Sequence, residues 1–252
     1  MSRLANKVAL VTGAGQGVGQ GIALALAAEG AVVGVTGRTA AKLDVTCGLI
    51  AERGGRSLPV VCDVFEAGDI IRAVETVVAA CGGLDILVNN AYDGAFGPLL
   101  GLDDDEFMRG IRSGPLASFR FMRACHPHLK ARGGGDIINL ATSAAVRWDS
   151  SNYGAYAVAK QGVRALTRAA AGEWGPDGIR VNTIAPLALS PALEYWTKHD
   201  SEGATFFNSV PLRRIGDCEL DIGRAVVAIV SSDLRYLSGA TIPLDGGQAN
   251  FD

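Results

Sequence analysis

Short runs rich in β-branched residues alternate with longer segments rich in Ala and Leu along the 252-residue chain. The short runs are predicted to be strands at 8–12, 31–36, 58–62, 84–88, 136–140, 179–184 and 241–244. The longer segments are predicted to be helices at 17–30, 40–53, from after 62 to about 80, and at 103–130, 152–174 and 217–232. Strands joined through helices run parallel, with right-handed crossovers. The alternation therefore predicts an α/β fold.

We expect these units to form one domain over residues 1–252. Its core is a single doubly wound parallel sheet of seven strands, Rossmann-like, with helices on both faces. A (β/α)₈ barrel is the alternative, but it requires eight strand–helix units, and the Gly-rich first loop argues against it. In a doubly wound sheet, ligands bind at the carboxyl ends of the strands. The long connection at about 187–214 leaves that edge, and its length predicts a lid over a site.

Charge and cysteine content exclude several classes of function. Lys and Arg total 23 and Asp and Glu total 26, and the net charge of −3 argues against nucleic-acid binding and a polybasic membrane anchor. No run of about 18 apolar residues predicts a membrane span. The five cysteines form no CxxC pair and the three histidines have no carboxylate or cysteine at ligand spacing nearby, so no disulfide framework and no metal site are expected. A reduced, cytoplasmic compartment fits best.

A glycine-rich loop follows the first predicted strand and precedes the first predicted helix. Glycine permits a tight turn there and lets a pyrophosphate approach the backbone, while the helix N-terminus offers free N–H groups. The loop therefore predicts a dinucleotide site, and a Gly-rich turn without a ligand is the alternative. The predicted contacts in the loop are Gly13, Gln16, Gly17, Val18 and Gly19.

The end of the second strand predicts which dinucleotide is bound. An acidic residue there would bind the adenosine ribose and repel a 2′-phosphate, but the chain has Gly37 followed by Arg38. Because a guanidinium makes bidentate contacts with phosphate and stacks on adenine, Arg38 favours NADP(H), with NAD(H) possible. Further contacts to the same cofactor are predicted after the third and fourth strands, at Asp63, Val64, Asn90 and Ala91.

A tyrosine and a lysine one helical turn apart offer proton chemistry. Tyr156 and Lys160 share one face of the predicted helix at 152–174. An ammonium beside a phenol lowers a pKa that starts near 10, which suits proton exchange with an alcohol or ketone oxygen. Ser143, just beyond the fifth strand, is placed to bind the same oxygen. Taken alone, Tyr156 and Lys160 also fit an ordinary helix-surface pair.

Together these motifs resemble the short-chain dehydrogenase/reductase family over essentially the whole chain. The matching pieces are the loop at 12–19, Asp63, Asn89-Asn90-Ala91, Ser143, Tyr156, Lys160, Pro186 and the closing Leu244-Asp245-Gly246-Gly247. The resemblance implies an NAD(P)-binding oxidoreductase. It also implies a homotetramer, or less often a dimer, built on the helices near 103–130 and 152–175.

The resemblance further implies a role for each residue of the site. Tyr156 is the general acid in reduction and the base in oxidation, Ser143 polarises the substrate carbonyl, and Lys160 holds the nicotinamide ribose and lowers the pKa of Tyr156. The residues implied to lie at the nicotinamide end of the cofactor are Pro186, Leu189 and Ser190.

Four positions depart from the family's pattern at the substrate and nicotinamide end. Two of them, Leu187 and Ser190, stand where the family commonly has Gly and Thr. The family usually has an Asn in the helix before the fifth strand, thought to hold a water in a proton relay to the lysine, and this chain has Gly114 there. The usual Asn-Asn-Ala-Gly ends instead in Tyr92, which adds a ring near the mouth of the site. These changes predict an unusual substrate or weak turnover, with an intact cofactor site.

Apolar side chains predict a hydrophobic substrate pocket, lined by Tyr92, Phe96, Trp148, Tyr153, Leu187, Leu193 and Trp196. Such a pocket fits a bulky hydrophobic or aromatic ketone, although the same side chains would also serve to pack the lid. The leading expectation is an NADP(H)-dependent enzyme that interconverts a ketone and a secondary alcohol. The alternatives are an NAD-dependent alcohol dehydrogenase of the same family and a catalytically weak nucleotide-sensing protein.

Overall fold

The strands of the described residues form one seven-stranded, all-parallel sheet in the order β3-β2-β1-β4-β5-β6-β7. The computed structural model describes residues 2–147, 152–200, 203 and 205–249. The strands are β1 Val8–Thr12, β2 Val32–Gly37, β3 Arg56–Val61, β4 Ile86–Asn89, β5 Gly135–Leu140, β6 Ile179–Pro186 and β7 Thr241–Leu244. The helices are α1 Gly17–Ala28, α2 Ala40–Glu52, α3 Ala67–Cys81, α4 Asp104–Ile111, α5 Ala117–Ala131, α6 Gly154–Trp174, α7 Pro191–His199 and α8 Arg224–Val230. The α/β fold predicted from the alternation is confirmed.

Strand β1 is apolar on both faces because helices cover the sheet on both sides. Val11 packs in a cluster with Ile22 of α1, whereas Leu10 packs in a second cluster with Val77 of α3 and Phe121 of α5. A strand buried on both faces reads as a continuous hydrophobic run, which is why β1 lacks alternation. The strand order reverses between β1 and β4, and this switch point opens a crevice beyond their carboxyl ends.

The helix predicted over 103–130 is interrupted. Helix α4 ends at Ile111, a π-helical segment covers Arg112–Leu116, and α5 begins at Ala117. Pro115 inside this segment has no N–H to donate, so the regular pattern of hydrogen bonds cannot continue through it. The last predicted helix is divided in the same way, with a π-helical segment at Cys218–Gly223 before α8. Such segments are frequent near functional sites.

The segment predicted as a lid, 187–214, contains secondary structure of its own. Helix α7 begins after Ser190, whose side chain accepts a hydrogen bond from the N–H of Leu193. A short helical turn follows at Phe206–Ser209. None of the helices in the described ranges is long and apolar enough to cross a bilayer.

Candidate active site

A cavity of about 410 Å³ lies at the switch point of the sheet. The predicted cofactor contacts that line it are Gly13, Gln16, Gly17, Val18, Arg38, Val64, Asn90, Ala91 and Ser190. Asp63 is not among its lining residues; its carboxylate accepts a hydrogen bond from the N–H of Phe65. Leu189 lines a neighbouring cavity behind the glycine loop.

The glycine loop needs its glycines for backbone geometry. Gly13 and Gly17 have φ of +64° and +59°, values that L-residues with side chains rarely adopt. A Cβ on Gly19 would lie 2.5 Å from the carbonyl oxygen of Gly13, so no side chain fits there. Asn90 holds the loop by donating from Nδ2 to the carbonyl oxygens of Thr12 and Gly13, at 2.9 and 3.1 Å. The loop therefore presents bare backbone and the start of α1 to the cavity, which fits a dinucleotide pyrophosphate.

Two cations line the other end of the cavity, one of which sequence reasoning missed. Arg38 follows β2, and Lys42 lies in the first turn of α2, where its Nζ donates to Oε1 of Gln16 at 2.7 Å. A lysine in the first turn of a helix is unfavourable because it lies at the positive end of the helix dipole. This unusual placement was the signal from which Lys42 could have been identified in the sequence. Arg38 already has an acidic partner, because its guanidinium pairs with the carboxylate of Asp93 at 2.9 Å. Asp93 also pairs with Arg109, at 2.9 Å.

Helix α6 carries the predicted tyrosine and lysine toward the same edge of the sheet. Lys160 is buried, and its Nζ donates to the carbonyl oxygen of Leu140 at the end of β5, at 2.8 Å. The same Nζ lies 5.8 Å from the centre of the Tyr156 ring and 4.8 Å from the centre of the Tyr92 ring. The structure therefore brings Tyr156 and Lys160 together, with Tyr92 as a third member.

The pKa of Tyr156 differs from the expectation based on its neighbouring lysine. Burial raises the pKa of Tyr156 to about 12, against a smaller opposite effect of the hydrogen bond with Thr142. Burial also lowers the pKa of Lys160 to about 8. The predicted lowering of the tyrosine pKa is thus wrong for this arrangement. Loss of hydration is the largest cause, and the Lys160 ammonium donates to a carbonyl oxygen instead of to the phenol.

Ser143 has a partner that the sequence did not indicate. Its Oγ donates to Oε1 of Gln248 at 2.9 Å, and Nε2 of Gln248 is buried without a hydrogen-bond partner among the described residues. Asp245 fixes this turn by accepting from the N–H groups of Gly247 and Ala249, both at 3.0 Å. No local motif marks Gln248, because its position depends on the path of the chain after β7. A free amide N–H next to Ser143 is suited to bind a substrate oxygen.

Three aromatic rings cluster around that of Tyr156. Tyr92, Phe96 and Tyr153 have ring centres 4.9, 5.2 and 6.0 Å from that of Tyr156. Phe96 and Tyr153 are 56% and 38% exposed, so they present apolar surface beside the tyrosine hydroxyl. Three of the predicted pocket residues are thus in one cluster.

The other predicted pocket residues are placed differently. Trp196 packs edge-to-face on Phe206 within the lid segment, 5.3 Å between centres. Leu187 lines a different cavity, because its N–H donates to the carbonyl oxygen of Leu244 and extends the pairing of β6 with β7. Its assignment to the substrate pocket stays a prediction. Leu193 is half-buried in the first turns of α7, and Trp148 lies outside the described residues.

Comparisons with known proteins agree with this geometry. A family model described as enoyl-(acyl carrier protein) reductase matches residues 13–249. The chain is 42% identical to 12alpha-hydroxysteroid dehydrogenase of Clostridium sp., covering 96% of each chain. It superposes with a TM-score of 0.92 on 7 alpha-hydroxysteroid dehydrogenase complexed with NADH and 7-oxo glycochenodeoxycholic acid, at 30% identity, covering 99% and 96%. A short-chain type dehydrogenase/reductase from Mycobacterium marinum gives a TM-score of 0.87 at 32% identity, covering 97% and 96%.

Proposed function

Because the chain belongs to the short-chain dehydrogenase/reductase family, we propose that it interconverts a ketone and a secondary alcohol using NADP(H). The observation that carries this proposal is the packing of Tyr156 and Lys160 against Tyr92, which lines the dinucleotide cavity. Tyr156 is also hydrogen-bonded to Thr142, the residue next to Ser143. When bound, the nicotinamide supplies or accepts the hydride.

The side chains of this chain perform the proton chemistry. Ser143 binds the substrate oxygen, and Tyr156 gives it a proton in reduction or takes the proton in oxidation. A pKa of about 12 keeps Tyr156 protonated at neutral pH, so it holds the proton that ketone reduction needs, while so high a pKa also makes it a weak acid. Lys160 binds the nicotinamide ribose and orients Tyr156, while the rings around Tyr156 keep water from the reacting atoms.

The proposed preference for NADP(H) rests on charge. Arg38 and Lys42 both line the adenosine end of the cavity, and position 37 at the end of β2 is a glycine without a carboxylate to repel a 2′-phosphate. NAD(H) is the alternative, since a relative of this fold was solved with NADH. The pairing of Arg38 with Asp93 weakens the preference without removing it.

We propose a flat, polycyclic secondary alcohol of the hydroxysteroid class, or its ketone, as substrate. The relative with 42% identity is named a 12alpha-hydroxysteroid dehydrogenase. The exposed rings of Phe96 and Tyr153 flank Tyr156 and suit the face of a rigid apolar skeleton. The proposal includes a cytoplasmic homotetramer built on α4, α5 and α6, where Met108, Phe119 and Val158 expose apolar side chains.

A tyrosine replacement tests the function. Tyr156→Phe keeps the ring and removes the proton donor, so turnover of oxo bile acids and cyclic ketones should fall about 10²–10⁴-fold or more while NADPH still binds. Tyr236→Phe, at a fully exposed tyrosine, is the matched control and should not change either quantity. Both are measured by NADPH oxidation at 340 nm and by fluorescence titration of NADPH.

The same assay separates the alternatives. Surviving turnover in Tyr156→Phe would show that another group supplies the proton. NADPH binding by the wild type without turnover of any ketone or alcohol would favour a nucleotide-sensing protein, the reading that Gly114 supports.

A further inference from the structure

The ring of Tyr92 lies where a side chain at position 114 would extend. A Cβ added to Gly114 would lie 3.5 Å from Cε2 and 3.6 Å from Cδ2 of Tyr92. One turn earlier in the same helical stretch, a Cβ on Gly110 would lie 2.8 Å from the Tyr92 hydroxyl. Gly110 and Gly114 are both buried. The two glycines therefore leave the space in which the ring of Tyr92 packs.

The same ring contacts the two groups that carry the proton chemistry. Nζ of Lys160 lies over it at 4.8 Å from its centre, closer than to the Tyr156 ring at 5.8 Å. The rings of Tyr92 and Tyr156 are 4.9 Å apart with an interplanar angle of 56°. A buried ammonium has lost its hydration, and the negative face of an aromatic ring replaces part of it.

The Tyr92 hydroxyl is not what holds this arrangement. It is buried and has no hydrogen-bond partner among the described residues. The contacts with Lys160, Tyr156 and Gly114 all involve the ring. A role for Tyr92 in the site must therefore come from its π-system and its volume.

We propose that Tyr92 is a positioning residue for Lys160 and that Gly114 is the complementary change that makes room for it. The ring face holds the ammonium against the carbonyl oxygen of Leu140, and in this chain it takes the place of a polar side chain at position 114. The inference rests on the proposed function, in which Lys160 orients Tyr156 and binds the cofactor.

Two replacements at Tyr92 separate the ring from the hydroxyl. Tyr92→Phe keeps the ring, so kcat, the KM for the ketone and the pH profile should match the wild type. Tyr92→Leu removes the π-face, so kcat should fall at least fivefold with little change in the KM for the ketone.

The pH profile gives a readout that a purely structural role would not move. Losing the ring destabilises the ammonium and so lowers the pKa of Lys160, which is about 8 in the wild type. The limb of the kcat–pH profile that Lys160 governs should therefore move about 0.5–1 pH unit lower in Tyr92→Leu. The titratable groups that face Lys160 are Tyr92 and Tyr156, with Tyr153 behind Tyr156. Neither tyrosine facing Lys160 titrates near pH 8, because burial raises the pKa of both.

A double-replacement cycle tests the pairing of positions 92 and 114. In Gly114→Asn the amide should collide with the ring and lower both the melting temperature and kcat. Adding Tyr92→Gly should recover at least fivefold in kcat and most of the melting temperature, a non-additive result. Gly172→Asn is the matched control, because Gly172 lies in α6 with nothing within 4 Å of an added Cβ.

The outcomes are distinct. Any of three results would overturn the proposal. The first is a pH profile of Tyr92→Leu whose limb does not move, and the second is an equal effect of Tyr92→Leu and Tyr92→Phe. The third is a double variant with no higher kcat or melting temperature than Gly114→Asn. If the wild type reduces no ketone, the proposed function fails, but the proposal for Tyr92 can still be tested. The titration of Lys160 is then followed through the pH dependence of NADPH binding. The coupling of positions 92 and 114 is then judged from melting temperatures alone.

Discussion

Arg38 is held by an acidic neighbour at the point where the cofactor's adenosine end is expected. Its guanidinium is 55% exposed and pairs with Asp93, whose carboxylate also pairs with Arg109. A 2′-phosphate would bring a second anion toward the same guanidinium. Asp93 therefore competes with the phosphate for Arg38, and it should reduce discrimination between NADPH and NADH.

Replacing Asp93 should sharpen that discrimination. In Asp93→Asn the competing charge is gone, and the ratio of the NADH to the NADPH dissociation constant should rise by up to about fivefold, the range expected for a partly exposed ion pair. Fluorescence titration of both cofactors measures the ratio. Asp233→Asn, which removes an exposed partner of Arg3, is the control. A fall in the ratio would mean that Asp93 orients Arg38 for phosphate instead.

Residues within short motifs were predictable from the sequence, and residues brought in by the fold were not. The glycine loop, Tyr156 with Lys160, and Arg38 each sit at a fixed offset from a predicted strand or helix end. Asp93 and Gln248 act across the molecule, on Arg38 and Ser143, and no local spacing encodes those contacts. The raised pKa of Tyr156 was missed because its largest cause is burial, which spacing does not reveal.

At the scale of elements, one arginine ties β6 to the last helix and the turn that follows it. Arg180 donates to the carbonyl oxygens of Ile229, Leu234 and Leu237, at 2.7 to 2.9 Å. It also pairs at 2.5 Å with Asp136, its register partner on β5. Both side chains are largely buried, so this contact holds three elements of the C-terminal half in register.

Removing this arginine should destabilise the fold. Arg180→Met leaves a buried carboxylate and several carbonyl oxygens without a donor, which costs roughly 3 kcal/mol and lowers the melting temperature by about 6–12 °C. Arg235→Met, at an exposed position, is the control and should change it by less than about 2 °C. Calorimetry or circular dichroism gives both values. An unchanged melting temperature in Arg180→Met would show that water replaces its hydrogen bonds.

Element types were predicted correctly where periodicity is strong. The bounds of β1 and β7 were also correct, but those of several helices were not. The predicted helix over 103–130 breaks at the π-helical segment that contains Gly114 and Pro115. The proline was a visible signal, but a proline in a helix produces a kink, a bulge or an end, and tertiary packing decides which. Here Ser113 Oγ accepts from the N–H of Asp93, and its one proton is shared between the carbonyl oxygens of Asp93 and Arg109, which fixes the loop after β4 to the bulge.

At the scale of the whole molecule, the dinucleotide cavity draws on loops after β1, β2, β3, β4 and β6. Bound cofactor should therefore stabilise the fold as a unit. At a cofactor concentration of 100 times its dissociation constant the gain is about 2.7 kcal/mol, or roughly 5–10 °C in melting temperature. At equal concentrations NADPH should give the larger shift, as measured by scanning fluorimetry. In Arg38→Ala, NADPH and NADH should raise the melting temperature by equal amounts. Equal increases in the wild type would contradict the NADP(H) preference.

The overall fold was predictable because each strand–helix unit carries its own periodicity and the rules for parallel connections leave few arrangements. The position of the cofactor cavity followed from the same rules. The substrate pocket did not, because it is built from a loop, a helix and a lid whose mutual placement no periodicity describes.

The packing of Tyr92 against Gly114 also has a historical consequence. A Cβ at 114 would already touch the Tyr92 ring at 3.5 Å, so an amide beyond it would compete with the ring for the same space. In a lineage that starts with a side-chain amide at 114, we therefore expect the amide to be lost before the ring arrives, and we expect its return to be unfavourable while the ring is present. The two positions should therefore covary across descendants, with an aromatic residue at 92 accompanied by glycine or alanine at 114, and the path between the two states should run in one order.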